Sequence, residues 1–251
     1  MTPAVLSCVI FALTLGGIVL GALLRTTLPQ HHLSKESQDV VRLGAGLVAT
    51  IAALVLGLLI AAAKGSFDTQ SGQVKQITAD IILLDALLEQ YGPDALPIRV
   101  EMRNVIGPFA DRLWHEKPVA AAAPFAVNAK AESVYIAIQA LSPKNDLQRS
   151  LQARAAQVST DLAQTRLLLF VESDSAIPAP FIAILAFWLI IIFASFSLFA
   201  ALNVTVFSFL SLFALSASCA IFLILELSEP FTGLLMIPSA PLRNALAPLA
   251  F

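Results

Sequence analysis

Residues 43–91 read LGAGLVATIAALVLGLLIAAAKGSFDTQSGQVKQITADIILLDALLEQY. The first part, 43–63, has no charged residue and is long enough to cross a bilayer, which takes about 20 apolar residues in a helix. No proline follows until Pro93, so we expect the helix to continue past Lys64 to about Tyr91. Its later apolar residues are spaced 3-4-3-4-3, as in the seam of a helical bundle, at Val74, Ile77, Ile81, Leu84, Leu88 and Tyr91. The stretch therefore predicts one helix that crosses a membrane and continues into a water-soluble bundle.

Three further stretches are equally apolar and uncharged: residues 4–24, 179–202 and 204–225. The segment 64–177 holds eleven of the fifteen Lys and Arg residues and thirteen of the seventeen Asp and Glu residues. This layout predicts an all-α membrane protein with four transmembrane helices and a helical soluble domain between helices 2 and 3. The predicted domains are transmembrane helices 1 and 2 (1–63), the soluble helical bundle (64–177), transmembrane helices 3 and 4 (178–225) and an interfacial C-terminal tail (226–251).

Turn signals divide the soluble segment into further helices. The run Tyr91-Gly92-Pro93-Asp94 ends the long helix, and helices are expected at 96–115, 129–141 and 146–171. Gly107-Pro108 should kink or break the first of these, and residues 117–128 should form a loop. The tail contains four prolines, which make it too broken to cross a membrane, so we expect it to lie at the interface.

Several function classes lack their sequence signatures. The chain has no GxSxG, HExxH, glycine-rich phosphate loop or dinucleotide fingerprint, so we predict neither an enzyme nor a bound cofactor. His31 and His32 could bind a metal, but they are adjacent rather than at helical i,i+4 spacing, and a solvated loop is the preferred interpretation. The two cysteines lie in predicted spans without a CxxC motif, which argues against a disulfide framework or a cysteine-based metal site. A net charge of −2 with no basic stripe argues against nucleic acid as a partner.

Small residues in two spans predict close contacts or a lumen. In span two, Gly46, Thr50, Ala53 and Gly57 form one stripe at 4-3-4 spacing that could line an oligomeric pore, with apolar rings that gate by dewetting. The alternative is that these small residues only permit tight helix packing, which is their usual role in membranes. In span one, Gly17 and Gly21 form a small-xxx-small pair, which predicts close approach of another helix.

A carrier is disfavoured by the composition of the spans. None of them places an ionisable side chain at membrane depth, and spans one–two and three–four show no internal repeat. The basic residues that flank the spans leave the orientation close to a tie. Arg25, Lys35 and Arg42 fall on one side, and Lys64, Lys75, Arg166 and Arg243 on the other.

Four carboxylates flank spans three and four on one predicted side. Glu172 and Asp174 precede span three, and Glu226 and Glu229 follow span four. They could converge on a hard cation such as Ca²⁺, which takes about six to eight oxygen ligands. The alternative is a solvated rim with partners such as Arg166 or Arg243, because the acids belong to no recognised loop motif.

The chain also resembles the bestrophin-like domain family of bacterial membrane proteins, from about residue 40 to the end. The matching stretches are LVATIAALVLGLL (47–59), SFDTQ (66–70), LLD (83–85), YGP (91–93), QTRLLLF (164–170), IPAPF (177–181) followed by Trp188, IFLILEL (221–227) and SAPLRNAL (239–246). Bestrophins, which this family resembles more distantly, are pentameric ion channels with a cytoplasmic helical domain, cytoplasmic termini and a pore lined by span two. Span two here holds no Phe in place of the bestrophin pore aromatics, and the dense acidic run of their calcium clasp is missing.

Two hypotheses of different class follow. The first, implied by the resemblance, is an oligomeric ion channel in the inner (plasma) membrane, a pentamer whose soluble domain and both termini are cytoplasmic and whose partners are the lipid bilayer and an inorganic ion. In it, span two surrounds the axis and helices 64–91 and 146–171 extend the conduit. The rival is a non-conducting membrane scaffold or sensor whose helical bundle binds a partner through the seam 74–91.

Overall fold

The computed structural model describes residues 2–29, 34–115, 133–173, 177–200 and 203–246. Every regular element in these ranges is helical, and four helices are long and apolar enough to cross a membrane. This confirms the predicted fold class. The helices are α1 (Pro3–Thr27), α2 (Lys35–Tyr91), α3 (Leu96–His115), α4 (133–139), α5 (Asp146–Ser173), α6 (Ala179–Phe199), α7 (Val204–Leu227) and α8 (Ala240–Leu246).

Helix α2 runs through both parts of the stretch that opened the sequence analysis. It has 57 residues without a break, so the prediction that the helix continues past Lys64 to Tyr91 is confirmed. It ends where predicted, because Gly92 takes a positive φ of 110° that a side chain would disfavour, and Pro93 starts a short 3-10 turn. Pro108 lies inside the continuous helix α3. The predicted loop 117–128 lies outside the described residues.

The chain divides into two compact units. The apolar unit comprises Met1–Ser66 and Ala176–Glu229, and the bundle unit comprises Phe67–Ser175 and Pro230–Phe251. Helix α2 contributes residues to both units. The division falls close to the predicted domain limits at 63 and 177, but the C-terminal residues from Pro230 belong to the bundle unit.

In the apolar unit, α1 packs against α6 and α7 through small and apolar residues. Gly17 and Gly21 lie against the backbone of α6: a Cβ atom at Gly17 would lie 3.0 Å from the carbonyl oxygen of Ile190, and one at Gly21 would collide with that of Ala194. The close approach predicted from the small-xxx-small pair is therefore present. The core beside it consists of Ile18, Phe193, Leu210 and Ala214.

Polar groups add two specific contacts between α1 and the end of α6. The Ser197 hydroxyl donates a 2.6 Å hydrogen bond to the Ile18 carbonyl and is fully buried. The Arg25 guanidinium donates to the Ala200 carbonyl, which follows the last residue of α6. The Ser197 contact satisfies a buried hydroxyl within an apolar span, where hydrocarbon supplies no alternative partner.

The bundle unit is built on the predicted seam of α2. All six seam residues are buried in one core, with exposed fractions of 0–3%. The same core includes Met102 of α3, Ile138 of α4 and Ala155 of α5. Heptad-like spacing thus specifies packing within the domain.

One buried ion pair joins α2 to α3 in the bundle unit. Arg99 donates two hydrogen bonds to the Asp85 carboxylate, Nε to Oδ1 at 2.6 Å and Nη2 to Oδ2 at 3.0 Å. The hydrogen bond from Arg99 to Asp85 raises the pKa of Arg99. Such a bidentate geometry fixes the orientation of the two helices as well as their distance.

The C-terminal tail packs against α3. The Trp114 indole Nε1 donates a 2.7 Å hydrogen bond to the Ile237 carbonyl, and the Trp114 ring meets Phe231 edge-on at 5.8 Å. Ile237, Leu242 and Ala245 are buried in the bundle core. From Pro230 to Leu246, the residues expected to form a separate tail are therefore part of the bundle unit, whereas Glu226 to Glu229 belong to the apolar unit. A position of the tail at the membrane interface stays a prediction.

Candidate functional site

Helix α2 has one buried side in the apolar unit. Ala45, Ala52, Leu59 and Ala63 have exposed fractions of 2–8% and recur at 7-7-4 spacing. Because each residue turns the helix by about 100°, these four share a narrow stripe. That stripe is the face by which α2 packs within its own subunit.

The residues predicted to line a pore lie elsewhere on α2. Gly46, Thr50, Ala53 and Gly57 are all exposed, roughly a third of a turn around the helix from the buried stripe. A Cβ atom at Gly46 or Gly57 would meet no other atom within 4 Å. The structure therefore brings the four residues together on one uncovered face. Among the described residues, nothing packs against Gly46 or Gly57, whereas Ala45 and Ala52 are buried.

Thr50 is the polar residue of this uncovered face. Its hydroxyl donates a 3.0 Å hydrogen bond to the Gly46 carbonyl one turn back in the helix. The hydroxyl proton is thereby occupied, and the oxygen lone pairs remain available on an exposed side chain. The uncovered face thus offers a weak acceptor and no formal charge.

A row of exposed leucines borders the small residues, and sequence reasoning did not assign it a role. Leu43, Leu47, Leu54 and Leu58 are 64–76% exposed. Their 4-7-4 spacing was visible in the sequence and places them on one face. Each such side chain gains about 1.5–3 kcal/mol when removed from water, so this row must face lipid, another subunit or a dehydrated lumen.

The predicted cation site is not assembled by the described residues. The Glu172 side chain and all of Asp174 lie outside them, and of the other two acids Glu226 is buried while Glu229 is exposed. In the part of the chain that the structure describes, no three His, Cys, Asp or Glu residues are grouped as a metal site. Convergence of the four acids stays a prediction. His31 and His32 also lie outside the described residues.

Fold and surface together define the class: an integral membrane protein with four apolar helices and an uncovered, uncharged face on its longest helix. The sequence matches the family described as the bestrophin-like domain over residues 11–242, and the chain belongs to that family.

Solved structures share the fold at low sequence identity. Two crystal structures of variants of a bacterial bestrophin homologue from Klebsiella pneumoniae align with TM-scores of 0.70 and 0.71 at 15% and 16% identity. The first alignment covers 96% of this chain and 97% of the homologue, and the second covers 99% and 97%. A crystal structure described only as a membrane protein aligns with a TM-score of 0.67 at 16% identity, covering 96% and 97%. Among curated proteins, no significant match was found.

Proposed function

We propose that this protein is an oligomeric, bestrophin-like ion channel whose central pore is lined by α2. The carrying observation is the uncovered stripe of Gly46, Thr50, Ala53 and Gly57, which no other part of the described subunit occupies. Several copies arranged around an axis would enclose this stripe and leave a lumen, because glycine and alanine occupy little space. Membership of the bestrophin-like family supports this arrangement.

The chemistry of α2 suits a conduit that discriminates by hydration rather than by fixed charge. Residues 43–63 contain no ionisable side chain, so an ion in this segment would meet apolar groups and the hydroxyl of Thr50. Narrow apolar segments can close by losing their water. We therefore propose that the pore gates by dewetting and that the transported species is a small inorganic ion.

The assembly and placement of the channel are part of the same proposal. We propose a homo-oligomer, a pentamer by the resemblance to bestrophins, in the inner (plasma) membrane. The bundle unit and both termini lie in the cytoplasm in this proposal, the bilayer is the surrounding partner, and the role is not enzymatic. The leucine row of α2 supports oligomerisation, because a membrane helix with this much uncovered surface can pack against neighbouring subunits.

The scaffold alternative was based on an exposed seam at 74–91, and the described structure does not support that feature. Its partner was to bind the seam 74–91, but all six seam residues are buried inside the bundle unit. A partner helix would have to displace α3 and α5 from that core. No other described surface specifically favours the scaffold over the channel.

Ion flux from sealed liposomes tests the proposed function. Purified full-length protein should release trapped ions above the leak of protein-free vesicles, and its oligomer mass in the same detergent should be several times that of one subunit. Vesicles opened with a known ionophore control for sealing. A monomer or dimer without flux would contradict the channel and return the scaffold to first place.

A further inference from the structure

The bundle unit contains an arginine, Arg166, that no carboxylate of the described residues balances. Arg166 of α5 places its guanidinium carbon 4.5 Å from the centre of the Phe109 ring, within the range of a cation–π contact. Its Nε is sealed from solvent and has no hydrogen-bond partner. Burial lowers the pKa of Arg166. Among the described residues, no Asp or Glu forms an ion pair with it.

Arg99, in the same unit, has a carboxylate partner of the kind that Arg166 lacks among the described residues. Arg99 is 8% exposed, and its Nε and Nη2 both donate to the Asp85 carboxylate. A partly buried cation without a counter-charge loses hydration that one aromatic ring does not replace. Among the described residues, Arg166 therefore lacks the charge partner that Arg99 has.

A cavity adjoins Arg166. Its volume is about 30 Å³, and its polar lining consists of Arg166 and Ser159, a buried residue about two turns earlier on α5. The rest of the lining is apolar, from Leu84, Met102, Val105, Ile106, Val134, Leu162 and Ala163. About 10–15 Å³ suffices for one water, so the space accommodates one monatomic anion or about two waters.

We propose that this cavity binds a small monovalent anion of the size of chloride, held by the Arg166 guanidinium and the Ser159 hydroxyl. The guanidinium supplies N–H donors and the missing charge balance, and the hydroxyl supplies one further donor. The largely apolar lining strengthens this interaction relative to one in open water. The site lies within the bundle unit and does not rest on conduction through α2.

Anion-dependent thermal stability tests the site. The full-length protein in detergent is titrated with chloride, with gluconate replacing it at constant ionic strength, because gluconate is a much larger anion than chloride. We expect the midpoint to rise by about 2–4 °C in chloride, since a ligand that binds only the folded state stabilises it by mass action. Arg166→Met should remove this chloride response. Arg149→Met is the matched control, because Arg149 is exposed on the same helix and should leave the response unchanged.

A second variant protects the test against misfolding of Arg166→Met. Ser159→Val fills the cavity and removes its hydroxyl while leaving Arg166 in place, and it should also lose the chloride response. Bromide should appear beside Arg166 by its anomalous scattering in crystals. Equal midpoints in chloride and gluconate would overturn the proposal, as would a full chloride response in both Arg166→Met and Ser159→Val.

Discussion

Replacing Gly57 with phenylalanine should abolish ion flux while leaving the oligomer intact. A Cβ atom at Gly57 would meet no other atom within 4 Å, and the residue is exposed, so we expect the variant to fold. In the proposed assembly, one ring from each copy enters the lumen at the same depth and closes it. Thr50→Leu should act in the same direction, because it adds bulk and removes the only hydroxyl of the stripe. The measurement is flux from liposomes at matched protein density.

Gly44→Phe is the matched control for Gly57→Phe. Gly44 is an exposed glycine of the same helix with equally open space, but it lies about 140° around the helix from Gly57. The Gly44→Phe variant should therefore conduct like the unmodified protein. Unchanged flux in Gly57→Phe and Thr50→Leu, with normal oligomer mass, would show that these residues do not line the lumen.

The second large effect is expected at Gly21, where α1 meets α6. Even the first carbon of a side chain would collide with the Ala194 carbonyl, so Gly21→Leu must separate the two helices. The separation would also weaken the Ser197 hydrogen bond to Ile18. Overpacking of this kind costs about 1–3 kcal/mol or more, and we expect the thermal midpoint to fall by about 5–10 °C or the folded protein to be lost.

Gly16→Leu separates this packing effect from a general intolerance of α1. Gly16 is exposed, and a Cβ atom there would meet nothing within 4 Å. Removing a glycine from a helix interior should be neutral or slightly stabilising. The two variants are compared by thermal unfolding in detergent. Similar midpoints for Gly16→Leu and Gly21→Leu would contradict the close contact between α1 and α6.

Features with a spacing signature were predictable from the sequence. The four apolar helices follow from length and hydropathy, and the α2 seam follows from its 3-4 spacing, which the structure buries residue by residue. Gly17 and Gly21 were recognised because close helix approach in membranes requires small residues at this interval. In each case, local pattern and three-dimensional packing impose the same demand on the sequence.

Features that depend on distant contacts were not predictable. In the sequence, the tail resembles an interfacial segment because prolines interrupt it. Only the fold shows that the Trp114 indole donates a hydrogen bond to the Ile237 carbonyl, 123 residues further along the chain. That no described carboxylate lies beside Arg166 likewise emerges only when its neighbours in the fold are known. The uncovered face of α2 is ambiguous for another reason: lumen, lipid and subunit contacts all accept apolar residues, so composition alone does not separate them.

Thiol block at position 50 tests the central claim, that the uncovered stripe of α2 faces a conducting lumen. Cys8 and Cys219, both exposed in the subunit, are first replaced by alanine, and Thr50→Cys is added. A charged, membrane-impermeant methanethiosulfonate reagent should then stop the flux. The same reagent should leave flux unchanged when the buried Ala52 carries the cysteine instead. Flux through Thr50→Cys that survives complete modification of the thiol would contradict the account.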